Sequence, residues 1–297
     1  MNRLKDGYVL VPNPHNAIRL GRVELSPANV DCIVFWTKNP IPLSNKFAVL
    51  DKMGYAYYIQ FTLTPYDKMV ESCLPPKDVL INAFVEISKR IGKERIVWRY
   101  DPVFIDEKHP TDWHIDQFTK MCTLLHSYTE RCTLSFIDPY KNIRNSFRSM
   151  THNEMLDTAA GLSEIAGQCG VLLYTCSEEI DLSSYGIRHS SCIDKSLVER
   201  IIGFPINIKK DTNQRPSCCC IESVDIGVYD TCPHGCSYCY ATPNVNTMLR
   251  RVTTHNPSAP MLTGYPVGNE IITNRTTLKK HRDVFQNSGH DTNDSAC

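Results

Sequence analysis

Ile96-Val97-Trp98-Arg99-Tyr100 closes on Asp101-Pro102, an apolar, β-branched and aromatic run that ends abruptly in charge. Such residues suit a pleated, half-buried strand, and so short a run stopped by proline reads as strand rather than helix. On either side the signal repeats in Cys32-Ile33-Val34-Phe35-Trp36, Tyr57-Tyr58-Ile59-Gln60-Phe61-Thr62-Leu63, Cys132-Thr133-Leu134-Ser135-Phe136-Ile137 and Val171-Leu172-Leu173-Tyr174-Thr175. Asp225-Ile226-Gly227-Val228-Tyr229 is a weaker sixth. Segments of helical length lie between and beyond them, at about 76–91, about 111–129, 151–168 and 194–202. Asp78 or Asn82 can cap the first, whose apolar face is Leu80, Ile81, Phe84, Val85 and Ile87. Thr151 followed by Glu154 reads as a capping box, with Leu156, Ala159, Ala160, Leu162 and Ile165 as the stripe behind it.

Strand–helix alternation at this spacing predicts parallel β/α units. The closing ends of the runs are polar: Thr37-Lys38-Asn39-Pro40, Thr62-Leu63-Thr64-Pro65, Arg99-Tyr100-Asp101-Pro102, Asp138-Pro139-Tyr140, Thr175-Cys176-Ser177-Glu178 and Asp230-Thr231-Cys232. In a β/α barrel such ends share one rim, where active sites sit. Polar residues also simply end strands, but successive endings in Asp, Arg, Lys or Cys favour a working rim. Arg99 and Asp101 are the leading catalytic contacts, because alternation puts them on one side of the strand and each is expensive to bury alone. Asp138, Lys38 and Asn39 follow; an ordinary surface ion pair is the plain alternative for each.

A chain of 297 residues buries a sizeable core. Lys+Arg and Asp+Glu both total 32, so no whole-chain field draws it to nucleic acid or to an anionic membrane. No apolar run approaches the roughly 20 residues a membrane helix needs, and the start lacks a signal-peptide pattern. The expected location is the cytoplasm, with no membrane partner.

There are 14 cysteines. Cys32, Cys73, Cys122, Cys132 and Cys169 are scattered and read as small buried hydrophobes. A crowd follows, from Cys176 to Cys239. Within it, Cys232-Pro-His-Gly-Cys236-Ser-Tyr-Cys239 offers three thiolates on one loop, a donor set suited to an iron–sulfur cube whose fourth iron stays free of protein. A zinc site with His234, Cys218 or Cys220 as a further ligand is the alternative. Cys176, Cys192, Cys218 and Cys220 form a second candidate set, for an auxiliary [4Fe–4S] cluster or a structural zinc. Either metal would tie the loop-rich stretch 177–224 to the barrel.

The Cys-x3-Cys-x2-Cys loop resembles that of radical S-adenosylmethionine enzymes, in which an aromatic before the third cysteine, here Tyr238, packs near the adenine. Over nearly its whole length the chain also resembles a bacterial family, domain of unknown function 1848. The matching segments include Phe35-Trp36-Thr37-Lys38-Asn39-Pro40, Arg99-Tyr100-Asp101-Pro102, Cys192-Ile193-Asp194, Asp211-Thr212-Asn213-Gln214-Arg215, Cys218-Cys219-Cys220, Ser223 through Cys232, Cys236-Ser237-Tyr238-Cys239-Tyr240-Ala241 and Pro257 through Leu262. Family members usually start with one further strand and carry Gly where Cys219 stands.

The resemblance implies an α/β fold: a partial, circularly permuted TIM-like (β/α)6 barrel of the radical S-adenosylmethionine type, formed by residues 1–176 and 221–250. Residues 177–220 would be a cysteine-rich insertion and 251–297 an irregular C-terminal segment with a frayed tail. It also implies a [4Fe–4S] cluster on Cys232, Cys236 and Cys239 with S-adenosylmethionine on the open iron, a 5'-deoxyadenosyl radical that abstracts hydrogen from an unspecified substrate, and an external electron donor such as flavodoxin or ferredoxin. No Gly-Gly-Glu stretch is present, so either Lys38 with Asn39 or the rim pair Thr62 and Thr64 is the expected holder of the methionyl end. The competing readings are a zinc-stabilised nucleic-acid-binding or repair-associated module, and a scaffolding relative without turnover.

Overall fold

The computed structural model describes residues 1–13, 16–143 and 145–275; the basic patch 278–282 and the tail 283–297 lie outside them. After a short helix α1 (Asn2–Asp6), β1 (Tyr8–Asn13) and β2 (Asn16–Glu24) pair antiparallel, and β9 (Ile271–Arg275) joins β2 in parallel. The main sheet is separate. Its strands β3 (Ile33–Thr37), β4 (Tyr57–Thr62), β5 (Ile96–Val103), β6 (Arg131–Phe136), β7 (Leu172–Cys176) and β8 (Arg188–Ser190) pair in that order. Every neighbouring pair is parallel. Helices α2 (Phe47–Lys52), α3 (Lys77–Ile91), α4 (Thr111–Leu125) and α5 (His152–Cys169) occupy the successive crossovers, and α6 (Lys195–Ile202) and α7 (Val245–Thr253) follow. Among the described residues no pairing joins β3 to β8.

The pleat sorts the side chains. Tyr57, Ile59 and Phe61 of β4, Ile96, Trp98 and Tyr100 of β5, and Cys132, Leu134 and Phe136 of β6 share one core with the inner faces of α3, α4 and α5. Phe84 of α3 stacks on Phe61 at 5.2 Å and Phe118 of α4 on Trp98 at 4.9 Å between centroids. Each large side chain so buried contributes about 1.5–3 kcal/mol. On the opposite face Tyr58 and Val97 pack against Leu197 and Val198 of α6, with Ile206 and Ile221. Covered on both faces, the strands must be apolar almost throughout, which is why they stand out in the sequence.

Three helix starts are set by side chains, those of α5, α6 and α7. The Thr151–Glu154 capping box forms, with Glu154 N–H donating to Thr151 Oγ1 at 3.3 Å and Thr151 N–H to Glu154 Oε2 at 2.8 Å. Asp194 caps α6 by accepting from Leu197 N–H at 3.1 Å, and its other oxygen takes Arg131 Nη1 at 2.6 Å, which pins the helix to β6. Helix α3 differs from expectation. It starts behind Pro76 with no side-chain cap, and Asp78 lies inside its first turn, where its charge still favours the helix dipole.

The sixth strand is a correction. Residues 225–229 are not strand; Arg188–Ser190 takes that place. Asp225 Oδ1 accepts from Gly227 N–H at 2.7 Å, a local bond that competes with a ladder, and Asp230 turns left-handed at φ 53°. Among the described residues no helix is long and apolar enough to cross a membrane.

Candidate functional site

The three-cysteine loop rests on the segment that leaves β4. Cys73 N–H donates to His234 O at 2.9 Å and Ser237 N–H to Val70 O at 2.8 Å, with Glu71 bridging Cys236 in an antiparallel step. Ser72 Oγ adds a bond to Gly235 O at 3.1 Å. Gly235 has φ +65°, and a Cβ there would meet Ser72 Oγ at 2.4 Å, so the turn and the close approach both require glycine. Asn142, beyond β6, reaches over to donate to Cys239 O at 3.0 Å. The loop therefore spans the carboxyl ends of several parallel strands, the side on which α/β proteins bind ligands.

Beneath it lies a charged hub. Glu71, 1 % exposed, takes Lys38 Nζ at 2.9 Å on one oxygen and Lys77 Nζ on the other. Thr64 Oγ1 donates to it at 2.7 Å, and so does the Tyr238 hydroxyl. Burial alone would raise this carboxyl, but Lys38, Lys77 and the donated bonds outweigh it and hold it down at about 2. Tyr238 is buried against Tyr66 and Phe104, with Lys38 over its ring at 5.1 Å. The Cys236 thiol is pushed up to about 11 by burial, with Lys38 opposing and Glu71, Cys239 and Cys232 adding to it. Thiols from one short loop beside a lysine are a donor set that suits an iron–sulfur cluster. Among the described residues no three cysteine, histidine or carboxylate groups are placed to hold a metal ion.

Arg99 and Asp101 sit together at the end of β5, as alternation predicted. Arg99 Nη2 donates to Asp101 Oδ2 at 2.6 Å and Nε to the same oxygen at 3.2 Å. Arg99 Nη1 donates to Cys192 Sγ at 2.8 Å. Cys192 is held from the sheet as well: its carbonyl accepts from the Tyr58 hydroxyl at 2.6 Å and from Gln60 Nε2 at 2.8 Å. Its sulfur lies 2.7 Å from that of Cys176, and Ile193 N–H donates to Cys220 Sγ at 3.3 Å. Cys192 stands at about 11: its bond with Cys176 pulls it down, while its bond with Cys220 and burial push it up. Cys176 is raised, first by the bond to Cys192 and then by burial. Cys218 is buried, its N–H on Arg215 O at 2.9 Å.

Asp138 pairs with Arg215 at 2.6 Å on the exposed rim, and Arg215 also bonds the Tyr140 hydroxyl. Tyr140 stacks obliquely on Tyr240 at 4.9 Å, and Tyr229 meets Tyr240 at 6.2 Å. Glu178 turns back onto β6, where Ser135 Oγ donates to Oε1 at 2.7 Å and Phe136 N–H at 3.0 Å. Burial raises its carboxyl to about 7 against those two bonds, and the charges of Asp138 and Asp101 add to the rise.

The sequence-derived residues thus fall into three groups. Lys38, Thr64, Tyr238 and the three-cysteine loop meet at Glu71. Arg99, Asp101, Cys176, Cys192 and Cys220 meet at the face of β5 and β7 turned away from the α3–α5 core. Asp138 faces Arg215. Asn39 serves its own turn, with Oδ1 accepting from Ile41 N–H at 3.2 Å, and Thr62 is half-buried at the end of β4. Sequence reasoning missed Glu71, Lys77 and the ionisation of Glu178. Glu71 lies in a loop without periodicity, and only its contacts across the chain identify it. A cleft of about 520 Å³ between Phe104–Glu107 and Asn145–Arg148 is lined by none of the residues predicted from sequence.

No curated protein and no solved structure matches the chain. One family model, described as Domain of unknown function (DUF1848), matches residues 1–241, a span that takes in the parallel sheet, Arg99 and Asp101, and the whole three-cysteine loop. With most of its length so matched, the chain belongs to the DUF1848 family.

Proposed function

We propose that the chain is an iron–sulfur enzyme of the radical S-adenosylmethionine type, with Cys232, Cys236 and Cys239 as the cluster ligands. The observation that carries this reading is the seat of the three-cysteine loop across the carboxyl ends of the parallel strands. A [4Fe–4S] cluster held there, with S-adenosylmethionine on its open iron, would supply one-electron cleavage to a 5'-deoxyadenosyl radical. The chain's own residues do the rest. The Lys38–Glu71–Lys77 hub fixes the loop and sets a positive charge beside its thiols. Arg99 and Asp101, on the face of β5 away from the α3–α5 core, form a preorganised pair for a polar substrate. Glu178, held half-ionised near neutrality, is placed to carry a proton at the same rim.

The finer architecture follows the same reading. Strands laid down in sequence order, each beside the last, have the order of a β/α barrel, and a ligand loop after the last strand fits a permuted, partial one. Anaerobic reconstitution tests the proposal. About four iron and four sulfide per chain and release of 5'-deoxyadenosine under reductant are expected, both lost on replacing Cys232, Cys236 and Cys239 by Ala. Zinc bound instead, with no visible absorption, overturns it. The exposed Tyr140, Tyr229 and Tyr240 beside Arg215 favour a second reading, a zinc-stabilised nucleic-acid-binding module that stacks bases. Binding of single-stranded oligonucleotides lost on Tyr240→Ala would support it.

A further inference from the structure

Cys176 closes β7, and Cys192 lies two residues past the end of β8. The two strands pair with Cys176 opposite Ser190, so the ladder itself brings position 192 back beside position 176. Their sulfurs lie 2.7 Å apart, close to the about 2.05 Å of a disulfide. Cys192 has a second thiol neighbour in Cys220, whose sulfur accepts from the adjoining Ile193 N–H at 3.3 Å. The backbone around it is fixed from the sheet by Tyr58 and Gln60. Gln60 is 2 % exposed and keeps its Oε1 without a partner, so that side chain is committed to Cys192 through its amide nitrogen alone. Arg99, buried and paired with Asp101, donates into the Cys192 sulfur. One sulfur therefore has two thiols and a guanidinium around it, while Cys176 and Cys192 keep partial exposure.

We propose that Cys176, Cys192 and Cys220 form a redox-active thiol relay that exchanges two electrons with a thiol–disulfide partner, with Cys192 as the shared sulfur. The oxidant is a soluble disulfide. The Cys192 sulfur attacks one sulfur of it, forming a mixed disulfide and expelling one thiol that leaves with the Cys192 proton. The Cys176 sulfur then attacks Cys192, forming the Cys176–Cys192 bond and expelling the second thiol with the Cys176 proton. Two electrons and two protons have left the chain, and two thiols have gained them. Attack by Cys220 on Cys192 moves the bond to Cys192–Cys220 and returns a proton to Cys176, with no net electron transfer. Arg99 assists by offsetting charge on the attacking sulfur. Once Cys192 is oxidised its sulfur is a weaker acceptor, and Arg99 is left to Asp101, which carries the redox state to the rim.

The relay does not depend on iron at the Cys232 loop, and its test separates the two. The full chain, purified without oxygen, is equilibrated in buffers of reduced and oxidised glutathione, trapped with an alkylating reagent and mapped by peptide mass spectrometry. A Cys176–Cys192 cross-link should grow with the oxidised fraction and vanish in excess thiol. Cys176→Ser should move it to Cys192–Cys220, and Cys192→Ser should abolish both. The wild-type map stands even if a variant fails to fold. Full alkylation of all three thiols at every ratio overturns the relay. So does zinc or iron that stays bound to these cysteines when Cys232, Cys236 and Cys239 are Ala.

Discussion

Glu71→Gln isolates the charge that holds the cysteine loop. The amide keeps the shape and still accepts from Thr64 and Tyr238, but it leaves Lys38 and Lys77 facing each other across a neutral group. A carboxyl held at about 2 instead of the ordinary 4.5 carries about 3 kcal/mol of stability at neutral pH. Glu71 is almost fully buried, so solvent screening removes little of that figure, although the lysines are 15 % and 28 % exposed and can rehydrate. A loss of about 2–3 kcal/mol corresponds to a Tm lower by about 3–5 °C for a chain of this size. The sign with pH is fixed by the lowered carboxyl. Its contribution is complete above about 4.5 and is lost as pH falls through about 2. The Tm gap between the wild type and the variant should therefore be widest at pH 7 and shrink to less than about half by pH 3. Thermal unfolding followed by circular dichroism reads both. Hydrogen exchange at the Ser237 and Cys73 amides, which bond across the two segments, should quicken in the variant before the sheet amides do. Equal Tm at pH 7, or a gap unchanged at pH 3, would refute the reasoning.

Gly235→Ala should cost about 1–3 kcal/mol through its left-handed backbone and the clash with Ser72 Oγ; the restoring change Ser72→Gly should recover the steric part in urea titrations. Asp194→Asn keeps the α6 cap but loses the Arg131 pair, whereas Asp194→Ala loses both, so the alanine should be less stable by about a further 1 kcal/mol; equal midpoints would count against the dual role. Thr151→Ala breaks the capping box of α5 and should cost about 1 kcal/mol, measured by the same titration. Glu178, raised to about 7, binds its proton more tightly folded than unfolded, so stability should fall as pH rises from about 4.5 through 7. Glu178→Gln should flatten that slope, and an unchanged Tm-against-pH curve would contradict it.

Strands β3 to β7 and helices α3 to α6 were legible because strands buried on both faces are apolar in unbroken runs, and because Thr151 with Glu154 marks the start of α5 chemically. The hairpin β1–β2 escaped because Pro12 and Gly21 interrupt it and its antiparallel pairing breaks the strand–helix rhythm. Arg188-His189-Ser190 is too short and too polar to read as strand; it pairs because the β7 edge offers a ladder. Asn244 caps α7 by accepting from Thr247 N–H at 2.9 Å, a helix hidden in a stretch rich in Pro, Asn and Thr. At the site, strand endings pointed to Arg99, Asp101 and Asp138 as a set. Which partners they take was not legible, because Cys192 reaches Arg99 and Arg215 reaches Asp138 from other parts of the chain. Thr64 and Tyr238 show the same limit: each is spent on Glu71, a residue no local pattern singles out.

Ser72 and Gly235 touch across 163 residues of sequence. During synthesis the strands up to Cys176 leave the ribosome well before the last cysteines do, and early segments settle first. The seat on residues 70–73 thus stands ready before the loop that occupies it has been made. The loop therefore docks late, onto a scaffold already largely built, so its closure over residues 70–73 is an event distinct from folding of the sheet.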